Sequence, residues 1–184
     1  MRAGRRRGQL VAQPFRGLLF LGLALAVVVL DQWTKRIADE RLRENGARSV
    51  PVPLAGDFLR FTYVENRGAA FGLLQDQTAF FVLVGLVVIG VIAASYRHLP
   101  RSGFLVHLAL GLQLGGAVGN LIDRLRQGYV VDFVDFGYRS NWWPVFNVAD
   151  SSIVVGVALL ALTLLRPSES EKARQPGAWP GDAT

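Results

Sequence analysis

Four long apolar runs, separated by polar segments, dominate the pattern of hydrophobic and polar positions along the chain. The runs predict membrane-spanning helices, whose approximate limits are 15–33, 71–95, 104–121 and 147–165. A helix needs about 20 apolar residues to cross a hydrocarbon core of about 30 Å, and each run is close to that length. The longer polar segments between the runs are therefore predicted to be two loops on one side of the membrane, at 34–70 and 122–146.

Two shorter sequence patterns occur between and within the apolar runs, and they predict a strand and a glycine-lined helix face. The stretch DFLRFTYVEN, residues 57–66, is rich in aromatic and β-branched residues and predicts a strand, and NRG at 66–68 is typical of a turn. In the third run, glycines recur every four residues, at Gly111, Gly115 and Gly119. That spacing places them on one helix face, where small residues let a neighbouring helix approach closely.

The composition agrees with a membrane protein. Of the 184 residues, 51% are hydrophobic and 18% are charged, and the mean hydropathy is +0.31. A soluble domain is usually less apolar. The absence of cysteine excludes disulfides and a thiol nucleophile, and two histidines, His98 and His107, are too few to predict a metal centre. His107 lies in an apolar run and is predicted to pack there.

Positive charge is concentrated beside the apolar runs. The net charge of +6 and the pI near 10.5 are interpreted as membrane-flanking arginine. No Gly-rich phosphate loop or aromatic RNA-binding pattern accompanies them, so no nucleic-acid partner is expected. Lysine and arginine are equally numerous on the two sides. The five arginines within residues 1–16, which include no acid, therefore decide the orientation. Both termini are predicted to be cytoplasmic, with an arginine-rich arm at 1–14 and a disordered tail at 167–184.

A basic start followed by an apolar run also describes a cleaved secretory signal peptide. The first run, however, continues into DQWTK at 31–35 without a small-residue cleavage pattern. It is therefore interpreted as the first membrane span.

Polar residues near the ends of the spans collect on one side of the predicted membrane, the outer one. They are Asp31, Gln32, Lys35, Asn66, Arg67, Asn120, Asp123, Arg124, Asp132, Asp135, Asn147 and Asp150. Because ionisable groups are costly beside hydrocarbon, a one-sided cluster of this kind predicts a functional site at the outer interface.

Several members of this cluster also have a purely structural interpretation. Asp31 and Lys35 have the i,i+4 spacing of a helical ion pair. Asn147 and Asp150 have the spacing of a helix N-cap and an acid in the first turn. Asp123 is followed by Arg124 and Arg126, so it is expected to be held in an ion pair with them.

Asp132 differs, because it sits in the apolar sequence YVVDFVDF with no basic residue nearby. Apolar surroundings disfavour a charged carboxyl group and raise its pKa. Two carboxylates brought together share a proton, so that one acts as a general base on water and the other as a general acid. Asp132 and Asp150 are the predicted pair, although Asp135 is a rival within the same segment.

Three alternatives remain open at this point. An enzyme could pair Asp123 with Asp150 instead. A small transporter subunit would also contain intramembrane acids, but it would spread them through the membrane depth. A scaffold built on the glycine face would leave Asp132 and Asp150 unexplained.

Four blocks of sequence together resemble the bacterial lipoprotein signal peptidases, the signal peptidase II family. They are DQWTK (31–35), ENRGAAFG (65–72), GGAVGNLIDR (115–124) with VVDF (130–133), and FNVADSS (146–152). The blocks occur in order, and the resemblance covers residues 15–166. It implies an α-helical polytopic membrane protein with four transmembrane helices and a small extracytoplasmic β-sheet.

The resemblance also implies an activity and a set of residues. The activity is that of an intramembrane aspartyl endopeptidase in the bacterial inner membrane. It removes the signal peptide from prolipoproteins by cleaving before a cysteine that carries diacylglycerol. The catalytic pair corresponds to Asp132 and Asp150, without a metal or organic cofactor, and the unit is expected to be monomeric. The supporting polar residues are Asp31, Lys35, Asn66, Asn120, Asp123, Arg124 and Asn147.

Overall fold

A computed structural model describes residues 4–43, 52–55, 58–68, 74–96 and 103–165. Four helices form in this part of the chain: α1 (Gly4–Leu42), α2 (Thr78–Tyr96), α3 (Phe104–Gln127) and α4 (Val148–Leu164). Four strands accompany them: β1 (Val52–Ala55), β2 (Leu59–Asn66), β3 (Val130–Tyr138) and β4 (Asn141–Trp142). The four apolar runs of the sequence thus all contribute helices. His98 and the tail at 167–184 lie outside the described residues.

Three of the helices are long and apolar enough to cross a membrane, over Gly17–Leu42, Thr78–Tyr96 and Phe104–Gln127. Helix α4 is also apolar but shorter, with 17 residues, which corresponds to about 25 Å of helix. Large apolar side chains remain exposed on the outer faces of the bundle, among them Leu21, Leu86 and Val157. Such a surface is suited to contact with lipid.

Helix α1 continues well past Trp33, where the first span was predicted to end, so residues 34–42 are helical and not the start of a loop. The helix persists because one of its faces remains buried beyond the apolar run: Asp31, Lys35 and Ala38 are all less than 5% exposed. Their spacing follows the helical repeat. Asp31 and Lys35, the polar residues at the end of the first apolar run, therefore lie within α1 and do not mark its end.

Helix α3 likewise extends beyond residue 121 to Gln127 and ends at Gly128, whose φ of +82° places it in the left-handed region that favours glycine. This helix packs against α1, α2 and α4. A Cβ atom on Gly115 would lie 2.6 Å from Cβ of Val27, and one on Gly119 would lie 2.6 Å from Asp31 Oδ2. The predicted close packing at the glycine face is therefore confirmed, and α1 is the partner.

The strands form one antiparallel sheet in the order β1-β2-β3-β4. Strand β2 matches the strand predicted at 57–66, and the turn after it is present, since Gly68 N donates to Asn66 Oδ1 at 3.0 Å. Strand β3, within the segment predicted as the outer loop 122–146, was not anticipated. Its first four residues are buried, so it lacks the alternation that identifies a half-buried strand. One face of the sheet covers the end of α1 through Ala38, Tyr63 and Phe133.

Candidate active site

Asp150 is fixed in the first turn of α4 by a capping box. Asn147 is the N-cap, and its side chain accepts a hydrogen bond from Asp150 N at 2.9 Å, while Asp150 Oδ2 accepts from Asn147 N at 3.4 Å. The N-cap pattern predicted from the sequence is confirmed. A third backbone donor of this helix terminus, Ala149 N, donates to Asp31 Oδ1 of α1 at 2.9 Å. Helix α1 therefore positions the start of α4.

Asp132 lies in the buried half of β3 and is 1% exposed. Asn147 Nδ2 donates to its Oδ1 at 2.7 Å, and Asn66 Nδ2 donates to its Oδ2 at 2.8 Å. Asn66 is the last residue of β2, paired with Val130 in the β2–β3 ladder. The sheet and the α4 cap thus hold opposite oxygens of one carboxyl group, which fixes its orientation.

The environment of Asp132 favours its protonated form. Burial, and next the neighbouring negative charge of Asp150, raise the pKa of Asp132 to about 7, against the opposing effects of the Asn66 and Asn147 amides and the charge of Lys35. The raised pKa of Asp132 agrees with the direction that its apolar neighbours in the sequence predict. A carboxyl group with a pKa near neutrality exchanges protons readily at physiological pH.

A buried ammonium group organises the other polar residues. Lys35 Nζ lies 2.9 Å from Asp31 Oδ2 and 2.9 Å from Asp123 Oδ2, and it donates to Asn120 Oδ1 at 2.9 Å. Asn120 Nδ2 in turn donates to Asp150 Oδ1 at 2.7 Å. Lys35 therefore supports Asp150 through the amide of Asn120, without touching it.

Asp123 has a different partner from the one expected. The sequence predicted an ion pair with Arg124 and Arg126, whereas the structure pairs Asp123 with Lys35 across the α1–α3 interface. Successive helical residues point in different directions. Arg124 accordingly turns away to donate to Gly68 O at 3.4 Å and to lie over the Phe81 ring, with 5.0 Å from Cζ to the ring centroid.

Gln32 is a member of the site to which the sequence assigned no role. Its Nε2 donates to Asp123 Oδ1 at 2.8 Å and to the carbonyl oxygen of Gly119 at 3.2 Å. Val131 N also donates to Asp123, at 3.2 Å. Both oxygens of Asp123 are therefore occupied by protein donors. The available signal was the position of Gln32 beside Asp31 at the end of an apolar run.

An open cleft of about 960 Å³ runs along the sheet and past the start of α4. Asp132 and Asp150 both line it, together with Asn66 and Arg124. Asp123 is absent from this lining. Asp135 also lines the cleft, farther along β3, where Thr62 Oγ1 lies 3.4 Å from its Oδ2. Among the carboxyl groups of the cleft, Asp132 and Asp150 are those held by the buried amides of Asn147 and Asn120.

The predicted site residues fall into two layers around that pair. Asn66 and Arg124 line the cleft, whereas the remaining supporting residues lie behind it: Asp31, Lys35, Asn120, Asp123 and Asn147. Within the described residues, no group of three or more His, Cys, Asp or Glu side chains is placed to hold a metal ion. His107 is remote from the cleft and packs against Tyr96, as predicted, with its Nδ1 2.7 Å from Gly103 O.

Comparisons with known proteins agree on one family. The model of the family described as signal peptidase (SPase) II matches residues 23–166. A lipoprotein signal peptidase of Moorella thermoacetica is 49% identical over 157 residues, covering 85% of this chain and 99% of the relative. One from Acinetobacter baumannii is 45% identical over 150 residues, covering 79% and 82% of the two chains.

Solved structures give the same picture of the fold. One bacterial membrane enzyme is 28% identical, with a TM-score of 0.70, and the match covers 88% of this chain and 93% of the other. A second is 31% identical, with a TM-score of 0.68, and the match covers 82% and 94%.

Proposed function

The chain belongs to the signal peptidase II family, and on that premise we propose that Asp132 and Asp150 are the water-activating pair with which it cleaves lipoprotein precursors. Membership of this family makes the protein a membrane peptidase and sets aside the transporter and scaffold alternatives. The observation that carries the assignment of the pair is geometric. These two carboxyl groups open onto one cleft, and each accepts a hydrogen bond from a buried amide, Asn147 for Asp132 and Asn120 for Asp150.

The proposed reaction uses the pair with one shared proton. Asp132, whose pKa is about 7, holds that proton, and Asp150 is the base. Asp150 takes a proton from water as the water oxygen bonds to the scissile carbonyl carbon. Asp132 then protonates the amide nitrogen as the carbon–nitrogen bond breaks. The products are a carboxyl terminus on the signal peptide and a free amine on the mature protein, and the proton returns from Asp150 to Asp132.

Arg124 and Asn66 complete the proposed site. Asn66 fixes the carboxyl plane of Asp132 from the cleft side. The guanidinium group of Arg124 lines the same cleft, where its positive charge offsets the negative charge of the pair. We assign to it the binding of carbonyl oxygen near the scissile bond, because guanidinium groups carry several donors in a fixed planar array.

The competing pair of Asp123 and Asp150 has weaker geometric support. Asp123 accepts hydrogen bonds from Gln32 and from Val131 N and pairs with Lys35. It is 4% exposed and does not line the cleft. A carboxylate with all of these partners is poorly placed to activate water.

The proposed substrate is a precursor whose cysteine, just after the cleaved bond, carries diacylglycerol. The exposed apolar faces of the helices allow a signal helix and acyl chains to approach from within the bilayer, while the sheet side of the cleft admits water. We place the protein in the inner membrane with both termini in the cytoplasm. A monomer suffices in this proposal, because a single chain supplies every residue of the site.

The test uses the purified full chain in detergent micelles with two forms of one precursor, with and without diacylglycerol on the cysteine. Release of the signal peptide from the lipid-modified form, with cleavage before the cysteine, is the expected result. Equal cleavage of both forms would contradict the proposed substrate, and no cleavage of either would contradict the proposed reaction.

A further inference from the structure

The cleft has two chemically different ends on either side of the carboxyl pair. At one end it is lined by Val154 of α4, one helical turn beyond Asp150 and within the apolar helix. At the other it reaches the sheet residues Arg60, Asp135 and Trp142. Under the proposed function, a substrate anchored in the bilayer by its signal helix enters at the apolar end. The residues downstream of the cleaved bond therefore leave past the polar end.

Arg60 is held at the polar end by an aromatic ring. Its Cζ lies 3.9 Å from the centroid of the Trp142 ring, a cation–π stacking distance. The ring itself is fixed on two sides. Its Nε1 donates to Arg139 O at 2.7 Å, and its Cδ2 lies 2.7 Å from where a Cβ on Gly137 would be. The guanidinium group is thus positioned by a rigid platform.

The edge of that guanidinium group remains available. Among the described residues, Arg60 forms neither an ion pair nor a side-chain hydrogen bond, although Asp135 is its partner across the β2–β3 ladder. Asp135 is instead within 3.4 Å of the Thr62 hydroxyl. Arg67, which also lines the cleft, pairs with Glu65 at 2.9 Å. Arg60 therefore has donors open to a ligand at the polar end of the cleft.

We propose that Arg60, stacked on Trp142, forms a subsite that binds an acidic side chain among the first residues downstream of the cleaved bond. This inference rests on the proposed function. Asp132 pairs with Val64, and Asp135 pairs with Arg60, in the same ladder. Asp132 and the subsite are thus three residue steps apart along β3, which is roughly 10 Å in an extended strand. An extended substrate places about its second to fifth residue after the cleaved bond near Arg60.

The experiment compares lipid-modified precursors that carry Asp, Asn or Lys at one of these downstream positions and are otherwise identical. With the wild-type full chain, kcat/KM for Asp is expected to exceed that for Lys by about five-fold at one position, the size of a partly exposed charge pair. Arg60→Ala is expected to bring that ratio to about one. Arg60→Glu is expected to make the Lys precursor the better substrate. A loss of folding would lower kcat/KM for both precursors and so could not produce this reversed ratio.

Arg139→Ala is the matched control. Arg139 also stacks on an aromatic ring, that of Tyr138, but it is exposed and does not line the cleft. Its removal is expected to leave the Asp-to-Lys ratio unchanged. The subsite is overturned if the wild type shows no such ratio at any position, or if the ratio persists in both Arg60 variants. If the wild type cleaves none of the precursors, the proposed function fails and the subsite falls with it.

Discussion

Asn120 binds Asp150 through one end of its amide, with Nδ2 donating to Asp150 Oδ1 at 2.7 Å. The other end, Oδ1, accepts from Lys35 Nζ at 2.9 Å and from Asn147 Nδ2 at 3.2 Å. The ammonium group thus dictates which way the amide points, and the amide orients the carboxyl group. Because Asn147 also holds Asp132, the two amides couple the two carboxyl groups mechanically.

Removal of the Asn120 amide is therefore expected to slow the chemical step. Asn120→Ala should lower kcat by about 10- to 100-fold, because small displacements of reacting groups are costly. KM should change by less than about two-fold, since Asn120 does not line the cleft. Steady-state kinetics on a lipid-modified precursor measure both, with thermal unfolding to confirm a folded protein. A rise in KM with unchanged kcat would contradict the role of Asn120 as a positioning residue.

Replacing each aspartate by asparagine should distinguish the roles of Asp132 and Asp150 in catalysis from the role of Asp123 in stability. Asp132→Asn and Asp150→Asn are each expected to reduce kcat/KM by about 10³-fold or more while the protein stays folded. Asp123→Asn should act chiefly on stability, because it deprives Lys35 of a buried partner. Precursor cleavage and melting temperature are measured for all three. Near wild-type cleavage by Asp132→Asn, together with a folded but inactive Asp123→Asn, would favour the rival pair.

The buried ammonium group should dominate the stability of the α1–α3 interface. Lys35 is 3% exposed and lies between two carboxylates. Lys35→Met removes the charge at similar volume and leaves Asp31 and Asp123 uncompensated, which is expected to cost about 3–5 kcal/mol. Arg36→Met is the control, because the neighbouring Arg36 pairs with Glu40 on the exposed surface. Its melting temperature in detergent should be unchanged, and equal effects of the two substitutions would refute the prediction.

Stability should depend on pH through Asp132. Its pKa is raised from 3.8 to about 7 on folding, so the folded protein binds more protons than the unfolded chain between these values. The free energy of unfolding therefore falls as pH rises from about 4 to about 7, by up to about 4 kcal/mol. Asp132→Asn removes this dependence. Melting temperatures of both proteins from pH 4 to pH 9 should converge in acid and separate above pH 7, and parallel profiles would contradict the assigned environment.

The features that the sequence predicted are those encoded by neighbouring residues. Apolar runs located the helices, the Asn147–Asp150 spacing located the α4 cap, and the glycine repeat identified a packed face of α3. The apolar neighbours of Asp132 were enough to predict the direction of its pKa shift. Each of these signals involves residues that are close in the chain, so it can be recognised in a single amino-acid sequence.

The features that escaped prediction depend on distant contacts. Lys35 and Asp123 are far apart in the chain, so the local sequence predicts the neighbouring arginines as partners for Asp123. Strand β3 is buried at its first residues, which hides the period of a strand. The stacking of Arg60 on Trp142 depends on the order of strands in the sheet. Chain folding, and not local pattern, creates these relationships.

The glycine face of α3 offers a test of helix packing that does not involve the polar site. A side chain at Gly115 meets Val27 Cβ at 2.6 Å and the backbone oxygen of Ala24 at 2.7 Å, neither of which is a flexible chain end. Gly115→Ala is therefore expected to destabilise the fold by about 1–3 kcal/mol. Gly90→Ala on α2 is the control, because nothing lies within 4 Å of the added atom. Unfolding in mixed micelles measures both, and a Gly115→Ala protein as stable as the control would show that α1 and α3 are free to separate.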